Sequence, residues 1–356
     1  MSPAPLDRDD LRARVAKALS AFLSGQAARL DAISPSLGPV HDAIDSFLLT
    51  GGKRLRPAFC YWGWRGAGGT DSEAVVTAAA CLELLQACAL IHDDVMDGSD
   101  TRRGQPAIHR RFAGVHQREG WLGSADGFGV SAAILLGDLC LIWADEMLNT
   151  SGMAPDALLR GQPVYDEMRV EVMAGQYLDL VEQSSGDGTV DSALRVARFK
   201  AAKYTIERPL HLGAALAGAG QEVRDGYSGY GLPLGEAFQL RDDVLGVFGD
   251  PSETGKPAGD DLREGKRTAL IAMTLDAARP AQAAVVRRHL GDPELSEQGV
   301  AELRGIICET GALARVETLI SRLMDDALTA LHAAPVDDEA REVLEQLAVA
   351  ATDRAL

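Results

Sequence analysis

From Asp9 onward, Leu11, Val15, Ala18, Leu19 and Phe22 recur at the spacing of one helix face. The Ser-Pro-Ser-Leu-Gly-Pro stretch at 34–39 breaks that pattern. A second helix is predicted from about His41 to Leu49, stopping at Gly51-Gly52; a third begins near Pro57 and a fourth covers roughly 71–96. The stretch 98–128, rich in Gly, Arg and His, is expected as loop or broken helix. Residues 130–149 are apolar and helical, and further helices are predicted over about 156–183, 190–218, 228–248, 266–289, 296–309, 311–333 and 337–354. The segment 249–265, rich in Gly, Pro and Asp, reads as a long loop, and such loops inside a compact domain are usually functional or disordered. No stretch shows convincing strand alternation. The expected fold is all-α: a flexible tail over 1–8, then one domain over 9–356 built as a single bundle of ten or more helices. Short connections make those helices mostly antiparallel.

Composition agrees with this. Aromatic residues are only 5% of the chain, while Ala, Leu and Val abound, a balance that favours helix. The formal net charge is −17. So acidic a chain repels nucleic acid and anionic lipid, and any anionic substrate must be held by local Lys and Arg or by metal ions. The five cysteines, Cys60, Cys81, Cys88, Cys140 and Cys308, include no Cys-x-x-Cys pair. They predict neither a disulfide framework nor a zinc site, but small core residues in a reducing compartment. No cationic stretch followed by an apolar block stands at the N-terminus, so no secretory signal is expected. The apolar run from Val75 to Ile91 carries Glu83 and Gln86 at its middle and reads as a buried helix rather than a membrane span. The expectation is a cytoplasmic protein with no nucleic-acid partner and no stable membrane insertion.

Candidate chemistry begins where that apolar run ends, at His92-Asp93-Asp94-Val95-Met96-Asp97. On a helix, Asp93 and Asp97 share a face one turn apart. Carboxylates this crowded repel one another unless a cation sits among them, and an all-oxygen ligand set suits a hard ion such as Mg²⁺. A solvated helix end is the plainer alternative, but carboxylates are disfavoured there by the helix dipole. A second cluster, Gln239-Leu240-Arg241-Asp242-Asp243-Val244-Leu245-Gly246, again ends an apolar helix, with Gln239 and Asp243 on one face. Cations surround both. Gly51-Gly52-Lys53-Arg54-Leu55-Arg56-Pro57 is a Gly-rich turn at a helix start, where a diphosphate would meet Lys, Arg and free backbone N–H groups. It lacks the spacing of a Walker loop. Arg102-Arg103 follow the first cluster, Lys256, Lys266 and Arg267 flank Gly259-Asp260-Asp261, and Lys203 lies within a helix.

Taken together, GGKRLRP, DDVMDGSDTRRG, GQYLD, FQLRDD and GKPAGDDLREGKRT resemble the trans-type polyprenyl synthetases, the isoprenyl diphosphate synthases, in order and spacing over roughly 40–350. The resemblance implies an all-helical fold around a deep cavity, a homodimer, three Mg²⁺ ions, and condensation of isopentenyl diphosphate with an allylic diphosphate. Carried over by position, it implies that Asp93 and Asp97 bind two ions with Asp94 in support. Asp242 would bind the third, supported by Asp243 and Gln239. Arg102, Lys203, Lys256 and Lys266 would contact the allylic diphosphate. Lys53, Arg56 and Arg103 would contact isopentenyl diphosphate, with Arg54 and Gln86 as further candidates. Gln176 and Asp179 match the helix beneath the metal site. Two positions depart from the family pattern. Gly246 stands where a third Asp is common, which implies weaker or differently arranged metal binding there, with Asp250 as a possible substitute. The Lys-Thr pair reads Lys203-Tyr204, with Thr205 one place on.

In the family, bulky residues four and five places before the first Asp cluster shorten the product. Here those places hold Ala89 and Cys88, with Leu85 and Leu82 deeper. The small pair implies a product of twenty carbons or more, with geranylgeranyl diphosphate expected. The alternative is that Cys88 and Ala89 only pack the helix and that another helix or subunit forms the floor. Two rival functions stand against this: a class I terpene cyclase, which shares the helical fold and a first Asp cluster but needs no GGKRLRP site, and a non-catalytic subunit of a heteromeric synthase, in which degraded Asp motifs are expected whereas the first motif here is intact.

Overall fold

The computed structural model describes residues 10–185, 188–249 and 259–352. The predicted 1–8 tail, Asp250 and Lys256 therefore lie outside the described residues. Helices dominate, as expected: α1 (Leu11–Ile33), α2 (Gly38–Leu49), α3 (Leu55–Gly66), α4 (Glu73–Met96), α5 (Ile108–Glu119), α6 (Ala125–Asn149) and α7 (Pro155–Ser185). They continue as α8 (Val190–Val196), a π-helical segment (Ala197–Glu207), α9 (Arg208–Ala217) and α10 (Gln221–Phe248). The last six are α11 (Asp260–Glu264), α12 (Ala269–Ala277), α13 (Pro280–His289), α14 (Glu297–Glu309), α15 (Ala312–Ala333) and α16 (Asp338–Thr352).

α4 is the central element. Ser72 caps it, accepting from the Val75 N–H at 3.3 Å, and Leu82, Leu84 and Leu85 are fully buried. Each such side chain contributes about 1.5–3 kcal/mol by leaving water. α4 is long and apolar enough to cross a membrane, yet 72% of its apolar window is buried, which marks it as a core helix. α6 passes the same test with only 39% buried. Two apolar cores form among the described residues. One surrounds α4, and a smaller one joins the C-terminal part of α10 to α12, α14 and α15.

Three differences from the expected elements have clear causes. Residues 98–128 are more ordered than their composition suggests: Thr101–Arg102 pairs with Gln105–Pro106 in a short hairpin turning at Gly104, and α5 follows. The buried residues Ile108, Phe112 and Ala113 hold α5 against the fold. The predicted helix 266–289 is divided, because Pro280 disfavours helical geometry at the residue before it, and Arg279 is extended. The predicted helix 190–218 contains eleven π-helical residues, a pitch that 3.6-residue periodicity does not register.

Candidate active site

One cavity of about 820 Å³ collects side chains from α3, α4, α7, the π segment, α10 and residues 260–268. Asp93 of the first acidic cluster and Asp242 and Asp243 of the second line it, while Asp94 and Asp97 do not. At the end of α4, the Asp97 N–H donates to the Asp93 carbonyl at 2.8 Å, which holds the two carboxylates one turn apart. Asp93 accepts from Gln176 Nε2 at 2.9 Å and pairs with Lys200 Nζ at 3.2 Å. Burial alone would raise its pKa, but Lys200, Lys266 and Arg102 outweigh that and hold it below the usual carboxylate range. Asp97 has one cation at 3.9 Å, Lys266, so burial and the Asp93 charge push it up to about 6. Asp94 is fully buried and grips the Arg102 guanidinium, with Arg102 Nε at 2.8 Å from its Oδ1. Burial raises its pKa despite that partner.

On the opposite wall, Gln239 Nε2 donates to Asp243 Oδ1 at 2.7 Å, the i,i+4 contact expected of that helix face. Burial, with Asp261 and Asp242 nearby, pushes Asp243 up to about 8. Lys266 joins the two walls, pairing with Glu264 at 2.6 Å and Asp261 at 3.3 Å as well as reaching Asp97. Gly246 is not a gap. A Cβ there would stand 3.1 Å from Asp261 Oδ1 and far inside contact distance of its Oδ2. The carboxylate from α11 thus occupies the space that a side chain at 246 would need.

The donor set fits a hard divalent ion. Asp94 Oδ2 and Asp97 Oδ1 are buried with no hydrogen-bond partner, an arrangement that costs free energy until a cation or donor arrives. Among the described residues no three carboxylate, imidazole or thiolate groups already converge as a closed cage. The two carboxylate oxygens Asp94 Oδ2 and Asp97 Oδ1 suit Mg²⁺, which fills its shell with waters and substrate phosphate oxygens beside one or two carboxylates.

The cationic turn lies at the cavity's other end. Gly51 and Gly52 adopt φ of +82° and +101°, which the turn into α3 requires. Lys53, Arg56, Gln86 and Arg103 line the cavity. Arg56 stacks on the Tyr204 ring at 4.4 Å and donates to Thr205 Oγ1 at 2.8 Å. The Thr205 hydroxyl therefore serves the arginine that neighbours it. Gln86 Oε1 is buried without a partner.

Several expected residues take other places. Lys203 does not line the cavity; its ammonium pairs with Glu171, which also binds Arg208. Lys200 lines it instead, 2.6 Å from Asp179 and beside Asp93. The wide π turn is the reason: it turns Ala197, Lys200, Ala201, Tyr204 and Thr205 inward and Lys203 away. Gly175 and Gly235 clamp this segment, since a Cβ on either would come within 2.8 Å of the backbone at Lys200 or Ala202. Arg54 is buried in a pair with Glu83 rather than facing the cavity. Cys88 and Leu85 are fully buried and do not line it either, while Ala89 does. Cys88 Sγ lies 3.8 Å from the Nδ1 of His92, a residue that does line the cavity. Lys200 was within reach of sequence inspection, three residues from Lys203; Asp261 carried no local sign of its proximity to Gly246.

An all-helical cavity with two carboxylate clusters and cations at two separate positions defines a diphosphate-handling helical enzyme. The chain belongs to the polyprenyl synthetase family, whose pattern it matches over residues 39–307, and it is a prenyltransferase. It is 35% identical over 305 residues to the geranylfarnesyl diphosphate synthase of Aeropyrum pernix, covering 83% of this chain and 88% of the relative. It is 32% identical over 312 residues to the octaprenyl diphosphate synthase of Escherichia coli strain K12, covering 85% and 86%. Its fold superposes with a TM-score of 0.94 on the crystal structure of Corynebacterium glutamicum geranylgeranyl pyrophosphate synthase complexed with isoprenyl diphosphate and magnesium, at 43% identity over 98% of this chain and 99% of that one. Neither rival function, the terpene cyclase or the non-catalytic subunit, is supported by these relatives.

Proposed function

We propose that this prenyltransferase condenses isopentenyl diphosphate with an allylic diphosphate to make geranylgeranyl diphosphate, as a cytoplasmic homodimer using three Mg²⁺ ions. The observation that carries this is one cavity lined by Asp93, Asp242 and Asp243 together with Lys200, Lys266, Arg102 and the cations Lys53, Arg56 and Arg103. Asp93 and Asp97 would hold two ions and Asp242 the third, with Asp94, Asp243 and Gln239 in support. When bound, magnesium neutralises the leaving diphosphate so that the allylic C–O bond can ionise. Lys200, Lys266 and Arg102 add positive charge on the same side. Lys53, Arg56, Arg103 and Gln86 hold isopentenyl diphosphate so that its double bond faces the allylic carbon. Ala89, Leu90, Val172, Met173 and Phe238 keep water from the carbocation. The departing diphosphate takes the proton lost after coupling.

Product length rests on Ala89, whose small side chain leaves the cavity open beside α4. The homodimer rests on Ile134, Leu135 and Ile142 of α6 and Val170 and Tyr177 of α7, large apolar side chains between 45% and 69% exposed. The cytoplasmic assignment rests on five free cysteines, four of them buried. Purified protein supplied with Mg²⁺, labelled isopentenyl diphosphate and one allylic primer at a time tests primer choice and product together. Twenty-carbon product is expected; a ladder stopping at fifteen carbons or running to forty overturns the length assignment. Light scattering that finds only monomer at working concentration overturns the dimer.

A further inference from the structure

Arg54 is the one residue of the Lys53-Arg54-Leu55-Arg56 run whose charge faces inward. It is only 6% exposed, and its backbone sits at φ +55°, the left-handed region that a non-glycine residue adopts only when its surroundings compel it. Its guanidinium is used on both sides. Nη1 donates to Glu83, itself 7% exposed on α4, and Nη2 donates to the carbonyl of Leu48 in the last turn of α2. One planar fork thus ties the end of α2, the start of α3 and the middle of α4. Gly52 packs over it: a Cβ there would lie 3.5 Å from Arg54 Nη1 and 3.7 Å from Arg103 Nη1. Arg103, also left-handed at φ +52°, is therefore set against the same buried group. Glu83 lies one turn before Gln86, which lines the cavity.

We propose that Arg54 and Glu83 form a positioning pair that fixes the spacing of Lys53, Arg56 and Arg103 before the second diphosphate arrives. Neither residue touches substrate. Three cations drawn this close repel one another, and the two bonds of the Arg54 fork, to α4 and to the end of α2, hold the backbone that carries them against spreading. Only a guanidinium reaches both acceptors at once, because its donors are fixed in one plane. The inference rests on the assignment of Lys53, Arg56 and Arg103 to isopentenyl diphosphate.

Steady-state kinetics with each substrate varied in turn, on Glu83→Gln, Arg54→Gln, the double variant and Lys53→Ala, tests it. Each single change at the pair is expected to raise the KM for isopentenyl diphosphate by roughly ten- to a hundredfold, with the allylic KM within about twofold of the parent. The double variant should be no worse than the more affected single variant, since both remove one device. Effects that multiply, an unchanged isopentenyl KM in Glu83→Gln, or a parallel rise in both KM values would overturn the pair as a positioning device. If Arg54→Gln fails to fold, Glu83→Gln, which keeps shape and hydrogen-bonding capacity, decides alone. An unchanged KM in Lys53→Ala overturns the subsite assignment instead, and calorimetric binding of isopentenyl diphosphate to each folded variant separates loss of affinity from loss of turnover.

Discussion

Replacing Gly246 by Asp would restore the third carboxylate common in relatives' second acidic motif, and the structure predicts that it damages this enzyme. The added Cβ alone would stand 3.1 Å from Asp261 Oδ1 and well inside the contact distance of Asp261 Oδ2 and Cγ. Asp261 would have to swing away, giving up its 3.3 Å pairing with Lys266. Two effects oppose each other. Removing a helix-interior glycine stabilises by at most roughly 0.5–1 kcal/mol, the figure for alanine, and by less for Asp. Overfilling a packed site costs roughly 1–3 kcal/mol, and two carboxylates held about 4 Å apart repel by about 4 kcal/mol at an effective dielectric of about 20. The penalty wins. Gly246→Asp should therefore lower the melting temperature by several degrees, at about 2–4 °C per kcal/mol, and weaken Mg²⁺-dependent binding of inorganic diphosphate about tenfold or more, measured by calorimetry. Gly246→Asp combined with Asp261→Ala should regain most of both, because the new carboxylate then has room. A single Gly246→Asp variant that binds Mg²⁺ and diphosphate more tightly than the parent, with Asp261→Ala unaffected, would refute this account.

The other predictions follow from side chains whose surroundings differ from their place in the sequence. Lys200→Ala should lower kcat/KM roughly a hundredfold, the scale of losing one charge-stabilising donor, whereas Lys203→Ala should change it less than about fivefold and act mainly on thermal stability through Glu171; equal losses in kinetic assays would count against the inward turn of Lys200. Ala89→Phe should shorten the product ladder on chromatography, while Cys88→Phe should instead destabilise the fold by about 1–3 kcal/mol because its side chain is fully buried among its neighbours. His211, buried between Arg208 and the Arg224 carbonyl, has its pKa lowered from 6.5 to about 4 by burial and by Arg208. The unfolded chain takes up that proton first as pH falls, so stability is full above about 6.5 and is lost progressively down to about 4, by roughly 3 kcal/mol at most. Denaturant unfolding across this range should show that slope, and His211→Gln should flatten it.

The sequence by itself determined the helical class, the two acidic clusters, the cationic turn and the family. These were legible because each is local: Asp93 with Asp97, and Gln239 with Asp243, need only the i,i+4 geometry of one helix, and the turn announces itself through adjacent glycines and cations. Tertiary structure decided which of these groups work together. The π pitch of 197–207 chose Lys200 over Lys203, and no periodicity rule built on 3.6 residues per turn anticipates that choice. Ala89 lines the cavity, whereas Leu85, one turn deeper on the same face, is enclosed in the core, and Cys88 is buried against His92 at the edge of that face. Arg54 left the diphosphate turn for Glu83, twenty-nine residues on. Asp261 came to rest against Gly246 through the packing of α11 on α10, a contact between segments that share no local pattern. In each case the chain wrote the chemical groups into short motifs, and the packing of distant helices assigned them their partners.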